Sequence, residues 1–286
     1  MLLALVLLVA RSIASDSTAP TSQVDSLIAA ERAFAALSLE KGMGPAFVAN
    51  LADDAILLRP TPVNGQAWFR DHAAPPIILR WKPALAIVAA SGELGFTSGP
   101  SEVRSKADPA EPPSYGDFVT AWKRQADGAW KVEFDIGVGH AKSTLEEKLV
   151  RLFPFPQHAD RKDSARMRSE LRVRDTAFIT SGRKSNMGDF FEMLDVDVRL
   201  LRPGMVPLVG MKTARMYLDT LKTSLRRRTL VHQVAASNDL AYTYGEYTGT
   251  AGGETAKGYY FTIWRRDPRG TWKVLIDVMG RPLASQ

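Results

Sequence analysis

The sequence predicts an α+β protein that contains two tandem copies of one small domain, and three observations support this fold class. A block that runs from Gly116 through Trp122 and Trp130 to Asp135 recurs from Gly258 onward, about 142 residues later. Each copy begins with segments of helical periodicity and continues with apolar segments typical of strands. Helices followed by an antiparallel meander are characteristic of α+β domains, and 286 residues suffice for two of them.

The helices are predicted from apolar stripes at helical spacing. In the first copy the stripe contains Val24, Leu27, Glu31 and Phe34, and Gly42 is a stop signal. The counterpart stripe in the second copy is read at 167, 171, 174 and 178. A second short helix follows in each copy, then a strand that ends in Leu-Leu-Arg-Pro. A third helix is expected near 66–72 and near 212–221.

The strands of the meander follow the third helix in each copy. They are predicted at 84–90, 94–103, 116–125 and 130–137 in the first copy, and at 229–237, 240–248, 258–266 and 271–279 in the second. Asp127-Gly128 and Arg269-Gly270 mark tight hairpins before the final strands.

The N-terminus differs from the rest of the chain. Leu2 to Val9 form an apolar run that is too short to cross a bilayer as a helix but suits the apolar region of a signal peptide. We predict a signal peptide at 1–14, a first domain at 23–140, a linker at 141–163 and a second domain at 164–281. The expected location is therefore the periplasm or outside the cell, without a stable membrane span.

Composition limits the chemistry. The absence of cysteine excludes disulfides, thiolate nucleophiles and Cys-ligated metals. The net charge of +6 is uneven, since residues 1–150 hold 14 basic and 17 acidic residues (−3) and residues 151–286 hold 23 and 14 (+9). The basic stretches, which include Arg226-Arg227-Arg228, lack the interleaved aromatics of nucleic-acid modules. We expect no nucleic-acid partner, no metal and no cofactor.

Several motifs resemble a known family. They are Glu31-Arg-Ala-Phe34, Leu51-Ala-Asp-Asp-Ala55, and the series Gly116, Trp122, Gly128 and Trp130-Lys-Val. They are similar to the SnoaL-like domains of the nuclear-transport-factor-2-like superfamily, in an exported branch of unknown function. The resemblance implies cystatin-like, cone-shaped domains, like that of ketosteroid isomerase, in which helices and a curved antiparallel sheet enclose a pocket. It also implies pairing through the sheets, and therefore a monomer in which the two copies form an intramolecular pseudo-dimer.

Candidate catalytic residues come from the second copy. Asp277 ends the final strand, and a carboxylate inside an apolar cone is expected to have a raised pKa and to act as a general acid or base. Tyr244 and His232 are the candidate hydrogen-bond donors beside it. The candidate ligand-binding residues are Arg202, Tyr242, Tyr260 and Trp264. The alternatives are structural: aromatics as core, Asp277 bonded to a turn, and Arg202 in an ion pair with Asp197.

Three functions remain open at this point. The first is binding of a small, partly apolar or anionic molecule in the second cone. The second is acid–base chemistry in that cone, such as isomerisation, dehydration or hydrolysis. The third is docking of the basic second half onto an acidic partner.

Overall fold

The structure, a computed structural model, describes residues 20–144, 147–155, 164–181, 188–220, 224–251 and 254–283. The predicted signal peptide lies outside the described residues. The described chain folds into two α+β units in tandem, each with helices packed on one face of its own sheet. The predicted fold class is confirmed. Within the described ranges, no helix combines the length and the apolar character needed to cross a bilayer.

The first unit begins with helices that pack on a mainly antiparallel sheet. Its helices are α1 (Pro20–Lys41), α2 (Met43–Asn50) and α3 (Gly65–Asp71). Its strands are β1 (Leu51–Leu58), β2 (Pro62–Asn64), β3 (Ile77–Trp81), β4 (Leu85–Val88), β5 (Leu94–Ser105), β6 (Ser114–Arg124), β7 (Trp130–His140) and β8 (Val150–Arg151). The strand order is β2-β1-β7-β6-β5-β4-β8, and β3 also pairs with β5.

The second unit repeats this plan. Its helices are α4 (Ser164–Ser181), α5 (Gly188–Phe191) and α6 (Met211–Leu218). Its strands are β9 (Leu194–Arg202), β10 (Met205–Val209), β11 (Ser224–Val234), β12 (Leu240–Ala251), β13 (Glu254–Arg266) and β14 (Trp272–Met279), in the order β10-β9-β14-β13-β12-β11.

Strand register makes the two units comparable residue by residue. Thr120 pairs with Asp135 between β6 and β7, as Thr262 pairs with Asp277 between β13 and β14. The single strand β11 corresponds to the two strands β3 and β4 of the first unit. In this register Trp81 lies opposite Ser101 on the neighbouring strand, where the second unit has Arg227 opposite Tyr247. Trp81 and Arg227 therefore occupy equivalent positions.

Four strands were not predicted. The short edge strands β2 and β10 each return along the strand that precedes them, and β3 lies between α3 and β4, where no element was predicted. In addition, Val150–Arg151 forms β8, which pairs with β4 although it lies within the predicted linker. Part of the predicted linker is therefore a strand of the first sheet.

The faces of the two sheets that point away from the helices pack against each other. One apolar cluster contains side chains from both units, and at its centre Phe134 stacks on Phe261 with ring centroids 4.3 Å apart. The hairpins beside this cluster exchange reciprocal hydrogen bonds. The backbone N–H of Ala90 donates to Asp239, and that of Ala236 donates to Glu93, at 2.9 and 2.6 Å.

Candidate functional site

The first unit contains a cavity of about 380 Å³ between its helices and the inner face of its sheet. Its wall is mostly apolar because each helix turns aromatic or sulfur-containing side chains inward, and the strands add more. The lining includes Phe34, Met43, Phe47, Trp68, Leu79, Trp81, Phe118 and Val138. Gly137 also lines the cavity, and a Cβ built there would meet nothing closer than a backbone oxygen at 4.0 Å.

Two opposite charges line this cavity, and the hydroxyl group of Thr120 lies beside one of them. Asp135 on β7 accepts a hydrogen bond from Thr120 at 2.8 Å, and burial raises the pKa of its carboxyl group. Arg59, directly after β1, lies with its guanidinium carbon 5.5 Å from the centre of the Trp68 ring. Burial lowers the pKa of Arg59, although the charge of Asp135 opposes the shift. The Nε atom of Arg59 is buried and has no hydrogen-bond partner among the described residues.

A second buried carboxylate lies next to the cavity wall. Glu31 on α1 is fully buried and accepts hydrogen bonds from Trp81 at 2.5 Å, Thr97 at 2.5 Å and Trp122 at 3.0 Å. Burial raises the pKa of Glu31 to about 7, against the opposing effect of these hydrogen bonds. The hydrogen bond to Glu31 holds the ring of Trp81, which forms part of the cavity wall.

In the second unit the equivalent charges are paired with each other. Asp277 is fully buried and accepts from Arg202 at 2.6 Å, from Arg227 at 2.7 and 2.8 Å, and from Thr262 at 2.8 Å. Burial raises the pKa of Asp277, but the charges of Arg227 and Arg202 outweigh it and hold the pKa below its usual range. The expectation of a raised pKa at Asp277 is therefore wrong, because two guanidinium groups replace the apolar environment that it assumed.

Further side chains extend this network through the second interior. Asp175 on α4 accepts from Thr229 at 2.5 Å and lies 3.0 Å from Nε2 of His232. The hydroxyl of Tyr260 is 2.5 Å from Thr229, and its ring lies 4.7 Å from the guanidinium carbon of Arg227. His232 and Tyr260 thus belong to the same interior as Asp277, but neither hydrogen-bonds it. Trp264 is fully buried and donates to Thr243 at 3.1 Å, so it is a core residue of this interior.

Two predicted site residues lie on the opposite face of the sheet. Tyr242 and Tyr244 pack in the apolar cluster between the units, where the Tyr244 ring is 5.0 Å from that of Phe134. Side chains alternate along a strand, so the neighbour that faces the helices is Thr243. The predictions that Tyr244 lies beside Asp277 and that Tyr242 binds a ligand inside the second cone are therefore wrong.

The predicted Arg202–Asp197 ion pair is also absent from the described contacts. Arg202 pairs with Asp277, while Asp197 pairs with Arg265 at 2.8 Å. The triplet at 226–228 does not form a uniform basic patch either, because Arg227 points inward and Arg228 pairs with Glu246. Among the described residues no group of three or more metal-ligating side chains is clustered.

Three residues that shape these interiors were not predicted from the sequence. Glu31 lies on the apolar stripe of α1. A charged residue on such a stripe indicates a buried carboxylate with partners, and this signal was present in the sequence. The counterpart of Glu31 is Asp175, because each precedes a buried phenylalanine, Phe34 or Phe178, by three residues. The comparison of the two stripes had instead matched Glu31 with Arg174. Arg227 was hidden in a basic triplet, and strand alternation was the only indication that the middle residue points inward.

Comparisons with known proteins concern the fold. No family model matches the chain, and no curated protein matches its sequence. Structural neighbours are nuclear-transport-factor-2-like, ketosteroid isomerase-like and cystatin-like proteins, and each is similar to about two fifths of this chain. A nuclear transport factor 2 superfamily protein from Salmonella enterica is 16% identical, with a TM-score of 0.37, and the match covers 43% of this chain and 96% of that one.

Two further neighbours have the same extent. A ketosteroid isomerase-like protein from Erwinia carotovora is 19% identical over 41% of this chain and 96% of its own, with a TM-score of 0.35. A protein of unknown function with a cystatin-like fold from Nostoc punctiforme is 14% identical over 39% and 87%, with a TM-score of 0.33. At these identities and scores nothing about binding or activity is carried over to this chain.

Proposed function

We propose that the first domain binds a small, largely apolar molecule in its cavity, with the polar end of that molecule at Asp135, Thr120 and Arg59. The observation that carries this proposal is the contrast between the two interiors. In the first, Asp135 and Arg59 both line the cavity, and no ion pair between them is found among the described residues. In the second, the equivalent Asp277 and Arg202 are bonded to each other.

The size and chemistry of the cavity support this function. A volume of about 380 Å³ lies within the range of small-molecule sites, which are mostly apolar with a few converging polar groups. Polar groups inside a protein are costly unless they are hydrogen-bonded, and Arg59 leaves a donor without a partner. A ligand that supplies those partners gains affinity and selectivity from them.

The sequence favoured the second cone as the binding site, and we now propose the first. The tyrosines that favoured the second cone lie between the sheets or inside a paired network, and Arg227 fills the space beside Asp277. At the position of Gly137 the second domain has Met279, which is opposite Tyr260 as Gly137 is opposite Phe118. Larger side chains in the second interior thus replace the open space of the first.

The test is isothermal titration of the intact chain with small aromatic probes, combined with a variant that fills the cavity. Gly137→Met introduces the residue of the second domain, and we expect it to abolish binding while the melting temperature stays within a few degrees of the wild type. Asp54→Asn, an exposed change on β1, is the matched control and should bind normally. Equal binding by Gly137→Met and wild type would contradict the proposal.

We also propose that the chain is a monomer whose two domains form an intramolecular pseudo-dimer. The stacked rings of Phe134 and Phe261 and the reciprocal hairpin bonds support it, because reciprocal contacts are typical of two-fold interfaces. Light scattering should give the mass of one chain, and twice that mass would contradict this arrangement.

Export remains a proposal from the sequence, based on the apolar run at residues 2–9. Expression of the full chain followed by N-terminal sequencing of the extracytoplasmic fraction should find a mature protein that begins near Ser15. An uncleaved protein confined to the cytoplasm would contradict it.

Acid–base catalysis is a second candidate, and the raised pKa of Asp135 favours it. A carboxyl group with a raised pKa, within reach of a bound molecule, can exchange a proton with that molecule. Any compound that binds should therefore be tested for turnover as a function of pH. An activity that Asp135→Asn leaves unchanged would exclude this role.

A further inference from the structure

The second domain contains a cation in the place that corresponds to the cavity. The guanidinium of Arg227 donates twice to Asp277 and lies against two aromatic rings, with centroid distances of 4.7 Å to Tyr260 and 5.4 Å to Phe178. A carboxylate below a cation and aromatic faces beside it form a recurrent recognition site for organic cations. Here the cation in this site is the side chain of Arg227, which belongs to the same chain as the carboxylate and the rings.

The first domain repeats the surroundings of Arg227 without the arginine. The equivalent pairs are Phe34 and Phe178, Phe118 and Tyr260, Thr120 and Thr262, Asp135 and Asp277, and Arg59 and Arg202. At the position of Arg227 the first domain has Trp81, whose ring nitrogen donates to Glu31. Asp135 therefore keeps its threonine donor but lacks the two hydrogen bonds that Arg227 makes to Asp277.

The count of charges differs by one between the two interiors. Each has an acidic residue on its first helix, Glu31 or Asp175, an aspartate on its last strand and an arginine at the end of its first strand. The second interior adds the positive charge of Arg227, which has no counterpart among the side chains of the first. Phe34, Phe118 and Asp135 line the cavity, and the Trp81 ring packs edge-on against the two phenylalanines, with centroids 4.8 and 6.5 Å away.

We propose that the polar end of the ligand in the first domain is a compact organic cation, a guanidinium, amidinium or ammonium group. It binds the carboxylate of Asp135 inside the cavity, against the aromatic wall that Phe34, Trp81 and Phe118 form there. This inference rests on the proposed function and specifies the chemical class of its ligand.

Arg59 does not prevent a second cation from binding beside it. Its counterpart Arg202 contacts the same carboxylate as Arg227, at 2.6 Å, and both guanidinium groups are accommodated. Arg59 also lies over the Trp68 ring, an interaction that Arg202 does not make among the described contacts. An anion on Arg59 is the competing possibility, and the experiment distinguishes the two.

The experiment compares three probes of nearly equal shape: benzamidinium, neutral benzamide and anionic benzoate. Each is titrated calorimetrically into the intact chain at neutral pH and low salt. We expect benzamidinium to bind about tenfold to a hundredfold more tightly than benzamide, as a charge-assisted bond and an aromatic contact imply. Asp135→Asn should remove this preference, and the control Asp54→Asn should retain it.

The other outcomes overturn the inference in distinguishable ways. Equal affinity for benzamidinium and benzamide, blocked by Gly137→Met, would leave a working cavity and refute the cation site. Tightest binding of benzoate would assign the polar end to Arg59 and refute it as well. Binding of none of the three probes would count against the proposed function together with the inference.

Discussion

Replacement of Arg227 by alanine should destabilise the second domain strongly although the residue belongs to a surface-like basic triplet. The side chain is 5% exposed, makes two hydrogen bonds to the fully buried Asp277, and packs on Tyr260 and Phe178. Loss of one partner from a buried ion pair costs about 3–5 kcal/mol. Asp277 keeps Arg202 and Thr262, so we expect the lower end, about 3 kcal/mol, and a fall in melting temperature on the order of 10 °C.

Differential scanning calorimetry of Arg227→Ala and Arg228→Ala measures this effect against a matched control. Arg228 is the next residue, its side chain is 68% exposed, and it pairs with the exposed Glu246. Its loss should cost well under about 1 kcal/mol. Millimolar methylguanidinium should raise the melting temperature of Arg227→Ala and have no such effect on Arg228→Ala, because only the former leaves a buried carboxylate beside an empty aromatic site.

The pH dependence provides a second readout of the same variant. Arg227 helps to hold the pKa of Asp277 below its unfolded value, so the stabilisation is present above about pH 4 and is lost as the pH falls below it. The difference in stability between wild type and Arg227→Ala should therefore shrink in acid. Equal melting temperatures for the two alanine variants, or a difference that grows in acid, would refute this reasoning.

Two further predictions concern the first domain and the interface. The pKa of Glu31 is raised to about 7 from 4.5, so the folded state binds more protons in this window and the free energy of unfolding should fall by about 3 kcal/mol as the pH rises through it. Glu31→Gln should flatten this slope in urea titrations at pH 4.5–7.5; an unchanged slope would contradict the assignment. Phe134→Ala should cost about 3–5 kcal/mol, because this buried ring stacks on Phe261 between the domains. The control Phe153→Ala, at a residue that is 40% exposed, should cost far less, and equal losses in denaturant would contradict the central role of the stack.

Much of the fold was predictable because the same pattern of elements occurs twice in the sequence. Each block of the repeat supports the interpretation of the other, and the matched strands and hairpin turns lie where the alternation and the Asp127-Gly128 and Arg269-Gly270 pairs place them. The strand β3 was not predicted, because its five residues lie between Pro75-Pro76 and Pro83 and are too few to show a clear strand pattern.

The choice between the two interiors was not predictable from residue types. The tyrosines of the second copy suggested chemistry, but their direction depends on strand parity, and Tyr242 and Tyr244 face the other sheet. The decisive contrast is between Trp81 and Arg227, which are equivalent only through the pairing of strands. The hydrogen bond from Trp81 to Glu31 joins residues 50 positions apart, and no local pattern indicates such a contact.

The reciprocal hairpin bonds between Ala90 and Asp239 and between Ala236 and Glu93 join two units that are encoded separately. In an assembly of identical subunits every mutation is made twice, so a substitution that fills one interior fills both. In this chain each unit can change alone while its partner still covers its apolar sheet. The second unit can therefore hold the side chain of Arg227 in its interior, where it stabilises the fold, while the first unit retains an open cavity.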